Sequence, residues 1–562
     1  MPRRPEPALT PCGEVSAHVD TFALERLPPP ELWPDILLGT RGLPRYSRRL
    51  NCAVELVDVA VAAGDGSRVA FRSDEETITY AELQERIDAI GNVLVQDLGV
   101  VPGSRVLLRS PNTPTLVASW LAVAKAGAIV VATMPLLRAR ELAPMLERAQ
   151  IDFALCDDRL REELDAAIER SGRTVRVVEF AKVWGTGELS VLAAARREPF
   201  TPADTAVDDI VLIAFTSGTT GLPKATMHFH RDVLAICDTF SHHVLRPTAD
   251  DIFIGSPSIA FTFGLGGSVT FPLRVRASAV LVETSSPDAL VEAIEAHRAT
   301  VVFTAPTAYR RILAAGAAPR LTTLRRCVSA GETLPQPVFE AWLDQTDLAI
   351  IDGIGATEML HIFISASDSR IRAGATGVAV PGYEARVVDD QMRPVPPGTV
   401  GRLAVRGPTG CRYLDDPRQS DYVVDGWNLT GDAYVLDEDG YFSYQARTDD
   451  IIVTGGYNIA GPEVEEALVE HPAVLECAVV GVPDEERGML VKAFVVPADG
   501  HEPDGVLARE LQDFVKSRLA PYKYPRAVEF RTALPRTETG KLKRYELRAE
   551  ATTTQTHEGS PA

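Results

Sequence analysis

The chain of 562 residues has few cysteines, no long apolar run and no excess of positive charge. Its seven cysteines form no CxxC pair and no cysteine–histidine spacing that suits zinc, which argues against a disulfide framework and against a zinc site. No run of about 18 or more apolar residues occurs, and no apolar segment follows the basic residues near the start. We therefore expect a cytoplasmic protein without a membrane partner.

Negative charge outweighs positive charge, since 57 lysines and arginines stand against 77 aspartates and glutamates and the net charge is −20. Such a chain repels phosphate backbones, so nucleic acid is not an expected partner. Apolar residues make up 45% of the sequence, as in soluble globular proteins, and the chain is too long for a single hydrophobic core. We expect two or more domains in a monomer or a homodimer.

The periodicity of the apolar residues divides the chain into segments of different texture. Short β-branched runs alternate with helical segments over residues 50–376, which predicts an α/β body with largely parallel sheets. Residues 377–448 show short alternating strands with glycine and proline turns, which predicts a small antiparallel β subdomain. We expect these to form an N-terminal domain over residues 1–448, followed by a small α+β domain over 449–550 and a disordered tail over 551–562.

A run of glycines and hydroxyl residues, TSGTTGLPK, follows the apolar strand IVLIAF directly. Glycines let backbone N–H groups face an anion, hydroxyls donate further hydrogen bonds and a lysine adds positive charge. The pattern predicts a loop that holds a phosphate chain, although a flexible surface loop has a similar composition. A Walker A loop is excluded because its closing Gly-Lys-Ser/Thr is missing. The candidate residues are Thr216, Ser217, Gly218, Thr219, Thr220, Gly221 and Lys224.

Seven further blocks follow one another in a fixed order. They are TYAEL, LAVAKAGAIVVATMPL, SAGETLP, DGIGATE, GWNLTGD, ARTDDIIVTGGYNIAGPEVE and LPRTETGKLKR. Together with the phosphate loop they resemble the adenylate-forming superfamily of acyl-CoA synthetases, luciferases and peptide-synthetase adenylation domains, over nearly the whole chain. The resemblance implies that ATP and an acid form an acyl-adenylate with release of pyrophosphate, that Mg²⁺ takes part, and that a thiol such as coenzyme A then takes the acyl group.

The resemblance also implies roles for residues around the nucleotide. Glu358 would hold Mg²⁺ and Thr357 would contact the α-phosphate, while the alternative for Glu358 is a solvated acidic loop residue. Asp432 would bind the ribose hydroxyls with help from Arg447, while the alternative for Asp432 is an Asx-turn residue. Five residues are expected to line the adenine: Gly331, Glu332, Thr333, Asp352 and Gly353.

The C-terminal blocks carry the residues implied in the two half-reactions. Lys541 would bridge the carboxylate and the α-phosphate in adenylation, although by itself it is a lysine in a polar loop, where exposure is the ordinary condition. Asp449 would be the hinge on which the small domain rotates between adenylation and thioester formation; the alternative is a linker acid. Gly455, Gly456 and Tyr457 would then face the tunnel for the thiol.

Two segments resemble the benzoate–CoA ligase branch of this superfamily. ATEMLHIFISA and SIAFTFGLGG would supply the wall of a pocket for an aromatic ring, although core packing would also explain the phenylalanines and a satisfied buried side chain the histidine. Several stretches look closer still to 2-aminobenzoate–CoA ligases, among them AHVDTFALERLPPPELWPD and APYKYPRAVEF. The expected pocket residues are Phe261, Thr262, Phe263, His361 and Ile362.

The sequence thus predicts an AMP-forming aryl-CoA ligase that uses ATP, Mg²⁺ and coenzyme A, with 2-aminobenzoate the favoured small aromatic acid. One alternative is transfer of an aromatic starter acid to the phosphopantetheine of a carrier protein, because its terminal thiol is the same as that of coenzyme A. Another is a catalytically idle nucleotide-binding module, and the joint presence of Lys541, Glu358 and Asp432 argues against it.

Overall fold

A computed structural model describes most of the chain. The described residues are 9–10, 13–39, 43, 45–216, 223–284, 286–454, 457–484, 488–519, 523–536 and 542–558. The strands are β1 Val69–Arg72, β2 Thr77–Thr79, β3 Arg105–Arg109, β4 Ile129–Thr133, β5 Phe153–Asp157, β6 Arg176–Phe180, β7 Ile210–Thr216, β8 Lys224–Phe229, β9 Ile252–Gly255, β10 Ser278–Val280, β11 Val301–Thr304, β12 Arg326–Ala330, β13 Ile350–Gly355, β14 Ile362–Ser365, β15 Val378–Ala379, β16 Glu384–Val388, β17 Val400–Arg406, β18 Val423–Val424, β19 Trp427–Leu436, β20 Phe442–Arg447, β21 Ile451–Thr454, β22 Tyr457–Ala460, β23 Val474–Asp484, β24 Gly488–Pro497 and β25 Ala527–Phe530.

Helices alternate with these strands along the chain. The α-helices are α1 Tyr80–Asn92, α2 Pro114–Lys125, α3 Ala139–Arg148, α4 Arg161–Ser171, α5 Glu188–Ala194, α6 His230–Ile236, α7 Thr262–Leu265, α8 Phe271–Arg274, α9 Pro287–His297, α10 Pro306–Ala314, α11 Gln336–Thr346, α12 Gln419–Tyr422, α13 Gly461–Val469, α14 Gly505–Arg518 and α15 Arg544–Glu558. Wider π-type turns occur at Val54–Asp58, Val61–Asp65, Val93–Asp97, Cys237–Leu245 and Gly266–Thr270.

Two large sheets dominate the α/β part. One has nine strands in the order β15-β14-β13-β12-β11-β9-β10-β1-β2, and the other has six in the order β6-β5-β3-β4-β7-β8. Pairing is antiparallel for β2, β14, β15 and β8 and parallel for the other strands of both sheets, including the edge strand β6. Parallel strands with helical crossovers are the arrangement that the sequence pattern predicts.

Three smaller sheets follow. The first has the order β16-β17-β19-β18 with β20 also paired to β19, the second is the hairpin β21-β22, and the third has the order β23-β24-β25. Strands β18 and β20 run antiparallel to β19, and β23 runs antiparallel to β24. The predicted fold class, an α/β body with a small antiparallel sheet and a C-terminal α+β part, is confirmed.

Internal contacts divide the chain into two compact units. The first comprises Met1–Ala385 and Val405–Asn428, and the second comprises Arg386–Ala404 and Leu429–Ala562. The domain boundary at Asp449 remains a prediction, since the contacts assign residues on both sides of it to the second unit.

The TYAEL block shows how local sequence fixes an element. The Thr79 hydroxyl accepts a hydrogen bond from the Glu82 amide, and the Glu82 carboxylate accepts one from the Thr79 amide at 2.8 Å. This reciprocal cap satisfies two of the free amides at the start of α1. Tyr80 is fully buried and donates from its Oη to the Ala277 carbonyl at 2.8 Å. The block therefore starts a helix and anchors it to the segment before β10.

The last helix extends into residues for which the sequence predicts a disordered tail. Helix α15 runs from Arg544 to Glu558, although residues 551–562 were expected to form a disordered tail. Leu547 and Ala551 are buried in an apolar cluster with Ala478 and Val480 of β23, which gives the helix an anchored face. Residues 551–558 therefore continue that helix. Among the helices in the described part of the chain, none has the length and apolarity needed to cross a bilayer.

Candidate active site

The two ends of the predicted phosphate loop lie on neighbouring strands. Thr216 is the last residue of β7, Lys224 is the first residue of β8, and the two are paired antiparallel. The two ends therefore lie side by side at the end of a buried strand. Ser217, Gly218, Thr219, Thr220 and Gly221 lie outside the described residues.

Thr357 and Glu358 lie at the tip of the antiparallel hairpin formed by β13 and β14. The tip is tight: a Cβ on Gly355 would lie 2.8 Å from the His361 carbonyl carbon, and Leu360 has φ +67°. Only glycine fits at position 355 without a clash, and Leu360 adopts a strained left-handed backbone conformation. The turn Thr357–Met359 thus presents the buried Glu358 carboxylate at a fixed place beside β7 and β8.

Tyr413 joins Glu358 to Lys224, and sequence reasoning missed it. Its Oη donates to Glu358 Oε1 at 2.5 Å and accepts from Lys224 Nζ at 3.2 Å. Tyr413 is fully buried, and burial together with the Glu358 charge raises the pKa of its phenol well above the ordinary value. The hydroxyl therefore keeps its proton and remains a donor to the carboxylate.

His228 supports the same turn from another side. Its Nε2 lies 2.8 Å from the Thr357 carbonyl oxygen, and its Nδ1 lies 3.8 Å from Asp232 Oδ2. Arg412 Nη1 is 3.3 Å from the same Asp232 oxygen, and both side chains are fully buried. Burial alone would raise the pKa of Asp232, but the charge of Arg412 and the contact with His228 outweigh it and lower the pKa. The ionised carboxylate therefore lies near the imidazole but beyond hydrogen-bond distance of its Nδ1.

The residues expected around the adenine follow β12 or lie on β13. Gly331, at φ +88°, begins an exposed segment with Glu332 and Thr333, and the Thr307 hydroxyl donates to Glu332 Oε2 at 2.5 Å. Asp352 and Gly353 come later in the chain than these three residues and lie on β13. Burial raises the pKa of Asp352 to about 7, against the opposing hydrogen bonds of the Gly353 backbone and the Ser329 side chain.

The pair expected at the ribose lies in the second unit. Asp432 of β19 is paired with Arg447 of β20, and Arg447 Nη1 donates to Asp432 Oδ1 at 2.9 Å. A Cβ on Gly431, which has φ +76°, would lie 2.6 Å from Arg447 Nη2, so this glycine gives the guanidinium its place. The pair is formed within one unit, and its role toward ribose stays a prediction.

Two of the expected aryl-pocket residues lie side by side, since the ring of Phe263 packs against His361. Phe261 is 39% exposed, which argues against simple core packing, whereas Thr262, His361 and Ile362 are buried. Three further phenylalanines enclose the imidazole, and sequence reasoning missed all of them. The ring centroid of His361 lies 4.6 Å from Phe271, 5.4 Å from Phe240, 5.8 Å from Phe263 and 6.4 Å from Phe303.

His361 is a polar group in an apolar setting. Neither ring nitrogen makes a well-formed hydrogen bond, although the Phe263 backbone lies near enough to favour the charged form slightly. Burial dominates and lowers the pKa of His361 to about 3, so the ring is neutral at physiological pH. A neutral imidazole offers one donor and one acceptor. The role of His361 toward the acid remains a prediction.

The buried neutral state of His361 predicts a specific pH dependence of stability. Below pH 6.5 the His361 imidazole binds a proton in the unfolded chain but stays neutral in the folded chain, so the free energy of unfolding falls as the pH drops. This one group should remove about 2 kcal/mol of the free energy of unfolding between pH 7 and pH 5. We expect His361→Leu to lose less stability than the wild type over that interval in urea unfolding. Equal losses in both proteins would show that His361 titrates normally.

The remaining predicted residues lie outside what the structure describes in part or in full. Gly455, Gly456 and Lys541 are not among the described residues. Asp449 belongs to the turn Thr448–Asp450 and Tyr457 begins β22, and for these two only the backbone is described. Their roles remain predictions from the resemblance.

The residues present fit a magnesium ion. Glu358 supplies a hard oxygen ligand, and within the described part of the chain no three histidine, cysteine, aspartate or glutamate side chains gather into a metal cage. Mg²⁺ is ordinarily held by one or two carboxylates together with substrate phosphates rather than by a cage of protein ligands. A single carboxylate beside Lys224 and the ends of a phosphate loop suits that mode of binding.

The chain belongs to the AMP-binding enzyme family. The family model matches residues 59–412, and the model of the AMP-binding enzyme C-terminal domain matches residues 463–541. The superfamily resemblance is thereby confirmed, together with the predicted enzyme class, an AMP-forming acid–CoA ligase.

Several relatives cover nearly the whole chain. The benzoate–CoA ligase of Thauera aromatica is 34% identical over 90% of this chain and 97% of its own length, and the 3-hydroxybenzoate–CoA ligase of Aromatoleum is 32% identical over 89% and 96%. The crystal structure of the anthranilate CoA ligase AuaEII with anthranoyl-AMP superposes with a TM-score of 0.83 at 31% identity, over 91% of this chain and 99% of the other. These matches support the predicted benzoate–CoA ligase branch.

Proposed function

We propose that the protein is an aryl-CoA ligase that activates a benzoate-type acid, with 2-aminobenzoate favoured, and transfers the aroyl group to coenzyme A. The observation that carries the proposal is the lone imidazole of His361 among four phenylalanines. Relatives that act on benzoate, 3-hydroxybenzoate and anthranilate support the same substrate class.

The composition of this wall suits a ring that carries one polar substituent. Aromatic side chains contact a planar ring over a large area, and an unsatisfied polar group in such a wall costs free energy until a ligand pairs with it. The neutral imidazole can accept one hydrogen bond from an amino group. An amino group next to the carboxylate would therefore find the acceptor that the sequence alone does not place.

Close packing leaves the imidazole little freedom. A Cβ on Gly266 would lie 2.4 Å from His361 Cδ2 and 2.5 Å from Nε2. The backbone at Gly266, the first residue of the π-type turn Gly266–Thr270, therefore lies directly against the imidazole ring. Ile362 packs equally closely on Gly353, where a Cβ would lie 2.7 Å from Ile362 Cγ2. Rigid walls of this kind favour a small flat acid over a long flexible one.

The first unit also supplies groups for the phosphates of ATP. Lys224 would neutralise charge on the phosphate chain, and the Thr357 hydroxyl would donate to the α-phosphate. Glu358 would hold Mg²⁺, which when bound offsets the charge that develops on the phosphate oxygens. The side chain of His228 would keep the Thr357 turn in place through the hydrogen bond to its carbonyl.

The ranking of acids tests this function. We expect kcat/KM to be at least about tenfold higher for 2-aminobenzoate and benzoate than for octanoate or acetate, because each misplaced methylene costs roughly 1–3 kcal/mol. His361→Leu should lower kcat/KM for 2-aminobenzoate by roughly tenfold and leave benzoate nearly unchanged, because only the amino group loses a partner. Coupled detection of AMP release measures each value.

Two outcomes would count against the proposal. A preference of the wild type for octanoate or acetate would overturn the substrate class. An equal loss of kcat/KM for both aryl acids in His361→Leu would be consistent with an aryl-CoA ligase but would contradict the proposed preference for an amino substituent.

A further inference from the structure

We propose that Tyr413 is a positioning residue for adenylation, which holds the Glu358 carboxylate in place to bind Mg²⁺ and the Lys224 ammonium in place to contact the phosphate chain of ATP. The inference rests on the proposed function only in that ATP and Mg²⁺ take part, and it does not depend on which acid is activated.

The hydrogen bonds among Lys224, Tyr413 and Glu358 can run in one direction only. A lysine ammonium only donates and an ionised glutamate only accepts, so the phenol between them must accept from Lys224 and donate to Glu358. The observed distances of 3.2 Å and 2.5 Å match this order. The short second bond is of the charge-assisted kind, which is about twice as strong as one between neutral groups.

The backbone around Tyr413 is fixed on both sides. The Met227 amide donates to the Arg412 carbonyl at 2.7 Å, and the Leu414 amide donates to the Ala225 carbonyl at 2.8 Å. Residues 412–414 therefore lie antiparallel along β8, whose first residue is Lys224. The Tyr413 amide also donates to Gln419 Oε1 at 2.9 Å.

The ring of Tyr413 is held as firmly as its backbone. It packs edge-on against Tyr422 with centroids 5.8 Å apart, and Lys224 Nζ lies 5.1 Å from the Tyr413 centroid. Both contacts involve the ring rather than the hydroxyl, so they survive in a phenylalanine variant. The hydroxyl is the group that contacts both the carboxylate and the ammonium.

Removal of the hydroxyl should damage one half-reaction only. In Tyr413→Phe the carboxylate loses its donor and is free to turn toward the ammonium, and a direct pair between them would compete with Mg²⁺ and with phosphate. We expect the Mg²⁺ concentration for half-maximal ATP–pyrophosphate exchange to rise roughly tenfold. Thioester formation from supplied aroyl-adenylate and coenzyme A should keep its wild-type rate.

A binding measurement separates this role from loss of activity in general. Mn²⁺ serves as the probe, and its affinity for the enzyme–ATP complex, followed by electron paramagnetic resonance without any acid present, should fall by a similar factor. Tyr309→Phe is the matched control, because Tyr309 is equally buried and donates to the Val328 carbonyl at 3.0 Å. It should lower thermal stability and leave Mn²⁺ affinity unchanged.

The result that overturns the proposal is an unchanged Mn²⁺ affinity with both half-reactions reduced by one factor, as a purely structural tyrosine would give. Failure of the wild type to activate aryl acids would refute the proposed substrate class and leave the Mn²⁺ comparison intact.

Discussion

Replacement of Lys541 by alanine is expected to abolish aroyl-adenylate formation and to leave thioester formation from supplied aroyl-adenylate largely intact. The resemblance to adenylate-forming enzymes places this ammonium between the carboxylate and the α-phosphate, where negative charge builds as the new bond forms. Loss of one contact that strengthens in the transition state costs on the order of 10²-fold in rate or more. ATP–pyrophosphate exchange measures the first half-reaction, and loss of the free thiol of coenzyme A measures the second.

Lys543→Ala provides a matched control for Lys541→Ala. Lys543 lies in the same block and pairs with Glu546 of α15 at 2.9 Å. A partly exposed pair of this kind contributes little to stability, so the control should keep both half-reactions. The chain on either side of residues 537–541 is held by the pairing of Arg536 with Leu542, which neither substitution touches. Equal losses in both half-reactions of Lys541→Ala would contradict the assigned role.

Much of the fold follows from local pattern. Apolar strands alternate with capped helices through the body, and the TYAEL block reads as a helix start because Thr79 and Glu82 stand three residues apart. The grouping of Arg386–Ala404 with the C-terminal unit does not follow, because it depends on contacts with residues that come later in the sequence. The continuation of α15 beyond residue 550 likewise depends on burial of Ala551, which composition does not reveal.

The candidate site divides in the same way. Thr357, Glu358 and Lys224 were found because each lies in a short block whose residues are adjacent along the chain. Tyr413 is 189 residues from Lys224 and His228 is 129 residues from Thr357, so no local pattern connects them. Nothing in the sequence marked Tyr413 as a partner of Glu358.

The aromatic wall shows a further limit of sequence reasoning. Phe263 and His361 were expected there from the resemblance, whereas Phe240, Phe271 and Phe303 come from three separate elements. Each of those three is an ordinary apolar position in its own helix or strand. Only the packing of these elements around one imidazole shows that they form a single buried cluster.

Replacement of Asp449 by proline is expected to have the opposite effect to Lys541→Ala: adenylation should survive and thioester formation should fail. Proline fixes φ near −65° and removes an amide hydrogen, so a residue that must change its backbone angles between two conformations is held in one. The resemblance assigns that change to Asp449, which lies in the turn Thr448–Asp450 between β20 and β21.

The two half-reactions again separate the possible results of the Asp449→Pro experiment. We expect ATP–pyrophosphate exchange within a fewfold of the wild type and a loss of aroyl-CoA formation on the order of 10²-fold, since a rate that needs rotation stops when the hinge is fixed. Asp449→Ala is the control, because it removes the carboxylate and keeps the backbone free, and it should retain both half-reactions. Full turnover in the proline variant would show that this enzyme completes both steps without rotation at Asp449, and a loss of both half-reactions with a lower melting temperature would assign the turn a structural role instead.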